Sequence, residues 1–394
     1  MLSERRFCDM NITLTAKQQI FPDEKQAQTF KKTINTYTQA LNFVSEWIFN
    51  NSFNLKQFSI HKEIYHTIRE TFSLKSQLTQ NAIRDVIARY KAVETQLKSK
   101  GGQLEHLWYP LNFKTPQLTL TRDRDYSFLK TGQVSINTND KREKVNITFK
   151  NREHFLEGYK LGEAKLITKD DKWFLYISAT KEYPEFEKEN VQHVVGIDRG
   201  LRFLVTTFDE KGNTLFVNGK DILAKRRHFK KLRQSLQKKN TKSAKRRIRK
   251  IGQRENRWMT DVNHRISKAL VDYYGPNTLF VLEDLTNVRF VTEKHRKDSR
   301  YEAVSWAFYQ LEQHLAYKAR MNQSEVLKVD AHYTSQRCPK CGVIDKKNRL
   351  NREHTFCCKS CVYKSNDDRV AAMNIQQLGT EWISGTERPR YTKV

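Results

Sequence analysis

Five of the six cysteines of this 394-residue chain fall within 24 positions near its C-terminus: Cys338, Cys341, Cys357, Cys358 and Cys361. Cys338-Pro-Lys-Cys341 and Cys358-Lys-Ser-Cys361 are two C-x2-C pairs with 16 residues between them, the spacing of a four-thiolate zinc site. Cys357 competes with Cys358, but only Cys358 gives the C-x2-C step to Cys361. A closed set of four thiolates leaves no open position for a substrate, so the expected Zn2+ is structural. Clustered pairs of this kind are not a disulfide framework and indicate a reducing compartment. Cys8 is read as an inert thiol.

Three acids are the candidates for chemistry. Asp198 ends the apolar run Val194-Val-Gly-Ile, and Glu283 ends Leu279-Phe-Val-Leu. Asp368 lies in Asn366-Asp-Asp-Arg-Val-Ala-Ala-Met-Asn-Ile, a helix start with small residues to face a sheet. A single acid at a strand end is ordinarily a cap or a surface ion pair. Two such acids and one on a helix together match the RNase H-like plan, in which converging carboxylates hold two Mg2+ ions about 3.5–4 Å apart. Carboxylate oxygens are hard ligands that suit Mg2+. Phosphodiester hydrolysis uses such a pair because charge builds on both the entering and the leaving oxygen, and a water on one ion is the expected nucleophile. Strand alternation turns Asp284 away from Glu283. Asp367 stays open as an alternative to Asp368.

These groups need elements to carry them. Residues 9–20 alternate as a strand does. Ala27, Phe30, Ile34, Tyr37, Leu41, Val44 and Ile48 then recur at steps of three and four, one face of a helix opened by Pro22-Asp23. Leu78, Ala82, Ile83, Val86, Ile87, Tyr90 and Val93 make a second helical stripe, ended by Gly101-Gly102. From about 113 to 180 short strands alternate with polar turns, at Gln117, Val134, Lys144 and Lys172. The simplest architecture is a β-barrel or sandwich whose first strand precedes an inserted helical block. An acidic stretch with one proline, beginning at Glu182, reads as a linker. Beyond it come a buried strand from His193, a hairpin turning at 209–213, a strand before Glu283, a helix near 302–321 that includes Val304, and a last core strand at Val326.

Lys and Arg number 72 against 44 Asp and Glu, a net charge of +28. That excess points to a polyanionic partner. The 22 Phe, 16 Tyr and 6 Trp exclude a structureless basic tail. No apolar run reaches the ~18–20 residues of a membrane span, and the N-terminus lacks a secretory apolar region. Residues 220–257 hold 17 Lys/Arg and two acids on weakly amphipathic helices. A merely soluble surface mixes both signs. The expected phosphate contacts are Lys225, Arg226, Arg227, Lys230, Lys231, Arg233, Lys245, Arg246, Arg247, Arg249 and Lys250. Trp47, Trp173, Trp258 and Trp306 are assigned to cores rather than to base stacking. His264 and the other histidines have no ligand spacing.

The chain resembles the TnpB family, the RNA-guided nucleases of insertion sequences, related to type V CRISPR effectors. The likeness runs nearly end to end. Phe21-Pro-Asp-Glu-Lys-Gln is similar to the family's start. Gly196-Ile-Asp-Arg-Gly and Val281-Leu-Glu-Asp-Leu resemble its first two RuvC motifs, and Asp261-Val-Asn-His-Arg-Ile-Ser-Lys the segment between them. Tyr333-Thr-Ser-Gln-Arg-Cys-Pro-Lys-Cys-Gly resembles the approach to its zinc ribbon, and Asp368-Arg-Val-Ala-Ala-Met-Asn-Ile its third motif. Val370 stands where the family has Asn, and Val362 where it has Gly after the last cysteine.

The resemblance implies a multidomain α+β chain. A wedge β-barrel (1–20 and 106–181) would carry an inserted helical recognition block (21–105). A linker (182–192) would lead to an RNase H-like (RuvC) α/β nuclease domain (193–330 and 363–380) with an inserted zinc ribbon (331–362) and a C-terminal tail (381–394). It implies catalytic Asp198, Glu283 and Asp368 with Mg2+, and structural Zn2+ on the four cysteines. It also implies a guide RNA from the transposon end, double-stranded target DNA beside a short adjacent motif, one protein per guide, and a prokaryotic cytoplasm near the nucleoid. The alternatives are an RNA-guided repressor without cleavage, a compact type V effector and a strand-transfer transposase.

Overall fold

The computed structural model describes residues 9–99, 101–115, 117–148, 158–285, 308–350 and 353–392. Cys8, Val304 and Trp306 lie outside these residues. The chain divides into two compact units, Asn11–Glu182 and Tyr183–Val394 with Met1–Met10. No described helix is long and apolar enough to cross a membrane.

The first unit holds strands β1 (Asp9–Phe21), β2 (Gln117–Leu120), β3 (Tyr126–Phe128), β4 (Gln133–Asn137), β5 (Arg142–Thr148), β6 (Lys160–Lys169) and β7 (Lys172–Pro184), the last ending just past its boundary. They form one sheet in the order β2-β6-β7-β1-β5-β4-β3. Tyr126, on one edge strand, donates its hydroxyl to the carbonyl of Gly162 at 2.6 Å, and Gly162 sits in β6 next to the opposite edge. The sheet is therefore rolled into a nearly closed barrel.

Three helices lie between β1 and β2: α1 (Glu24–Asn50), α2 (Gln57–Phe72) and α3 (Ser76–Lys98). Asp23 and Gln26 make a reciprocal capping box at the start of α1, satisfying two amides that a helix end leaves free. The sequence pattern marks α1 and α3. The middle helix, with Ile60, Ile64, Tyr65 and Ile68 buried, is an addition. The helices do not form a separate core. Phe30, Tyr37, Val86 and Tyr90 join Leu118, Val134, Leu166 and Leu175 of the sheet in one cluster.

The second unit is built on β8 (His193–Asp198), β9 (Phe203–Phe208), β10 (Thr214–Asn218), β11 (Thr278–Glu283) and β12 (Glu325–Val329). Their order is β10-β9-β8-β11-β12, with β8, β11 and β12 parallel, β9 antiparallel to β8, and β10 antiparallel to β9. Helices α4 (Lys220–Lys239) and α5 (Lys242–Tyr274) follow β10, α6 (Phe308–Met321) precedes β12, and α7 (Asp367–Ile383) comes last. One sheet face packs on α5 and α6 through Val195, Ile197, Phe280 and Leu282. The other packs on α7 through Leu279, Val281, Ile375 and Leu378. The expected core strand at Val326 is an edge strand, and only Val329 of it is buried. Between β12 and α7 lies a small module with three short strands, β13 (Arg349–Leu350), β14 (Thr355–Cys357) and β15 (Lys364–Asn366).

Candidate functional site

Strand parity sets where the acids point. Leu279 and Val281 face α7 while Phe280 and Leu282 face away from it. Side chains alternate, so Glu283 faces α7 too, and Asp198 shares the face of Val194 and Gly196. The parallel register pairs Leu282 with Ile197, the residues just before the two acids. Asp368 stands in the first turn of α7, above that same face. Asn366 caps this helix, its side-chain oxygen accepting from the amide of Arg369 at 3.0 Å. Acids in a first helical turn are also favoured by the helix dipole.

Asp198 feels the other two acids. Asp198 keeps part of its surface open, yet it is deep enough that burial, followed by the charges of Glu283 and Asp368, pushes its carboxyl well above the usual range. Burial also raises Glu283, opposed by a hydrogen bond from Thr334 and by Arg199 and Arg349. Asp368 is raised by burial and by Asp367. Such a cluster cannot hold three negative charges cheaply. Divalent cations would relieve it, and the donors are hard oxygens, so the residues present fit Mg2+.

The neighbouring acids are spoken for. Asp367 is 1% exposed, accepting from Arg349 Nε at 3.1 Å and from the amide of Asp368 at 3.1 Å. Asp284 is exposed and lies 3.8 Å from Lys328. Three groups around the acids are not acids or thiols and carry no ligand signal of their own, although Arg199 stands in Gly196-Ile-Asp-Arg-Gly and Thr334 in Tyr333-Thr-Ser-Gln-Arg-Cys. Arg199 points to the α6 face, where it pairs with Glu312 at 3.1 Å, and also donates to the Glu283 carbonyl at 2.6 Å. Arg349 reaches over from the small module, and Thr334 donates to Glu283 Oε1 at 2.5 Å. Both come from segments far along the chain, where spacing says nothing.

Cys338, Cys341, Cys358 and Cys361 are the one group of three or more His, Cys, Asp or Glu among the described residues whose ligand atoms all lie within 4.8 Å of one another. The acid trio does not meet that spacing. Cys338 and Cys361 sulfurs are 3.5 Å apart, as are those of Cys341 and Cys358. Four thiolates at the usual Zn–S length of about 2.3 Å lie roughly 3.8 Å apart, so the cluster suits Zn2+. Cys357 stands in β14 and outside the group.

Helices α4 and α5 form the basic hairpin, turned by Asn240 in a left-handed conformation and capped by Thr241. Lys225, Arg227, Lys231, Lys245, Arg246, Arg247, Arg249 and Lys250 are exposed, and Lys230 is half-buried. Arg226 is buried, its Nε 3.7 Å from Glu255, and Arg233 bonds the same carboxylate. Those two arginines stitch the hairpin together. Trp173 is buried, and Trp47 and Trp258 are half-buried against cores.

Two family models match: a probable transposase over residues 175–289 and a Cas12f1-like TNB domain over residues 308–375. A TnpB-like protein of Methanocaldococcus jannaschii is 30% identical over 195 residues, spanning 48% of this chain and 69% of that one. The chain belongs to the TnpB family. Its likeness extends to a CRISPR-associated endodeoxyribonuclease Cas12f1 of Sulfoacidibacillus thermotolerans, 28% identical over 353 residues and 80% of each chain. Among solved structures, a Cas12f1–sgRNA–target DNA complex superposes with a TM-score of 0.64 at 13% identity, covering 93% of this chain and 99% of that one. At that identity it establishes the fold. For a TnpB-family chain, the matched TNB segment holds all four cysteines and Asp368.

Proposed function

We propose that this protein is an RNA-guided DNA endonuclease of the TnpB family, cutting target DNA by two-metal phosphodiester hydrolysis in an RNase H-like (RuvC) domain, 193–330 with 363–380. The observation that carries the reading is the convergence of Asp198, Glu283 and Asp368 on one sheet face, each raised by burial and Asp198 further by the other two. These three carboxylates would hold the Mg2+ ions, which supply charge stabilisation at the entering and leaving oxygens. Guide RNA from the transposon end would read the target by base pairing, next to a short adjacent motif. The exposed cations of the hairpin would hold phosphates, and the four cysteines a structural Zn2+.

The test is a plasmid with a matched target, incubated with the purified protein–RNA complex in Mg2+ or in EDTA. Cleavage is expected only with Mg2+ and only with a matching guide. Full activity in Asp198→Ala, or cutting in EDTA, would sink the mechanism. Binding without cutting in Mg2+ would make the protein a guided repressor instead.

A further inference from the structure

A short hydrogen-bonded path joins the helix that carries Asp368 to the carboxylate of Glu283. Thr334, four residues before the first zinc-site cysteine, is 1% exposed. Its hydroxyl lies 2.5 Å from Glu283 Oε1 and 3.0 Å from the carbonyl of Ala331. A hydroxyl has one proton, and the shorter, charge-assisted contact to the carboxylate takes it. The backbone of Thr334 is held in turn. Its carbonyl accepts from Asn374 Nδ2 at 2.7 Å, and the same nitrogen bonds the carbonyl of Arg337 at 2.8 Å. Arg337 answers with a bond to Asn374 Oδ1 at 3.3 Å. Asn374 is fully buried on α7, and Tyr391 closes over it by donating to its carbonyl at 2.7 Å. The amide of Asn374 thus has both its donor and its acceptor side engaged.

We propose that Thr334 is a positioning residue for the metal site: its hydroxyl fixes the Glu283 carboxylate so that one oxygen is committed to Thr334 and the other is presented to a divalent cation. Asn374 holds Thr334 in place, so α7 supplies the third acid directly and orients the second through two hydrogen bonds. The inference rests on the assignment of Asp198, Glu283 and Asp368 as metal ligands. A hydroxyl that donates to a ligating carboxylate leaves its free lone pairs for the metal, and removal of such a partner ordinarily weakens metal binding about 10–100-fold.

The test uses the full chain with its guide RNA and compares Thr334→Val, Thr334→Ala and Thr334→Ser with the unaltered protein. Mn2+ binding is read by electron paramagnetic resonance, zinc content by elemental analysis, folding by thermal melting, and cleavage as a function of Mg2+ concentration. Thr334→Val is expected to keep its zinc and target binding, to bind Mn2+ about tenfold more weakly, and to need correspondingly more Mg2+ for half-maximal cleavage. Thr334→Ala covers the case in which the buried valine disturbs folding. Thr334→Ser, which keeps the hydroxyl, is expected to behave as the unaltered protein. Unchanged Mn2+ affinity in both hydroxyl-free variants overturns the proposal, and so does a serine variant as impaired as the valine one. Glu283→Gln separates the two levels of the argument. If it too leaves Mn2+ binding unchanged, the metal-site assignment itself fails.

Discussion

Arg349 Nε lies 3.1 Å from Asp367 Oδ2 while the other end of the same guanidinium is 3.7 Å from Asp368 Oδ1, and the closer, hydrogen-bonded contact gives two consecutive acids different work. Asp367 is 1% exposed and holds the small module's arginine against α7. Asp368 faces Asp198, whose carboxyl feels it more strongly than it feels Asp367. Asp368→Asn should therefore abolish cleavage and leave melting nearly unchanged. Asp367→Asn should retain measurable cleavage and lose about 1–3 kcal/mol of stability, because a buried partner of a charge is removed. Thermal melting and plasmid cutting on the same preparations decide it. Equal loss of activity with no loss of stability in Asp367→Asn would reverse the two roles.

How much of this was legible in the sequence depends on how far along the chain each cause lies. The run Leu279-Phe-Val-Leu-Glu shows its strand and its face by parity alone, and the helix stripe from Ala27 to Ile48 shows α1 by steps of three and four. Strand β3 is three residues long, too short for a pattern to emerge. Arg226 and Arg233 look like every other cation in 220–257. What sets them apart is Glu255, 22 residues beyond Arg233, and only the hairpin brings them together. Thr334 stands in the quoted run before Cys338, yet its bond to Glu283, like the reach of Arg349, crosses a chain separation that no periodicity records.

Val362 sits at φ 58, in the left-handed region, directly after the last cysteine of the four-thiol cluster. Its counterpart after the second cysteine is Gly342 at φ 79. A β-branched side chain is strained there, and with Val362 74% exposed it gains little burial in return. Val362→Gly should raise the stability of the module by about 1 kcal/mol, the relieved strain less the extra chain entropy of glycine. Slower zinc loss to a chelator would be the readout, and faster loss would count against strain at this turn.

His264 and His314 stack at 3.8 Å between α5 and α6, with Lys318 donating to the His264 carbonyl at 2.6 Å. Burial, then the neighbouring charges of His264 and Lys318, holds His314 down at about 4. Burial and Lys318 also lower His264, with Asp261 opposing. The folded-state values lie below the unfolded value of about 6.5, so their contribution is intact above pH 6.5 and is lost as pH falls toward 4. His314 Nε2 is buried without a hydrogen-bond partner among the described residues. His314→Phe keeps a stacked ring and removes the titration, and should flatten part of the acid loss of melting temperature. An unchanged acid slope in that variant would exclude the pair as its source.

The basic hairpin should separate binding from stability. Neutralising Lys245, Arg246, Arg247, Arg249 and Lys250 together removes exposed charge, so RNA affinity should fall and its salt dependence should flatten. Glu255→Gln instead removes the charge that pairs with buried Arg226 and with Arg233 and should cost roughly 3 kcal/mol, first seen in melting. Affinity measured across a salt series checks the first. If the slope holds with five charges gone, the hairpin is a solvated face.

Gly196 lies where α7 crosses β8, two residues before Asp198. A Cβ there would fall 2.1 Å from the carbonyl of Ala372 and 2.4 Å from the amide of Gln376. Those are backbone atoms of α7, and no rotamer change can relieve the clash, so Gly196→Ala must push the helix off the sheet. Asp368 stands one turn before Ala372 and moves with it, while Asp198 stays on β8. A shift of about 1 Å between catalytic groups can cost on the order of 100-fold in rate, and the overpacking about 1–3 kcal/mol in stability. Zinc content and guide affinity should hold. Gly252 offers the control: it lies within α5 with nothing inside 4 Å of an added Cβ, so Gly252→Ala should stabilise by up to about 1 kcal/mol and cut normally. Normal cutting in Gly196→Ala would mean that the contact of α7 with β8 does not set the spacing of Asp198 and Asp368.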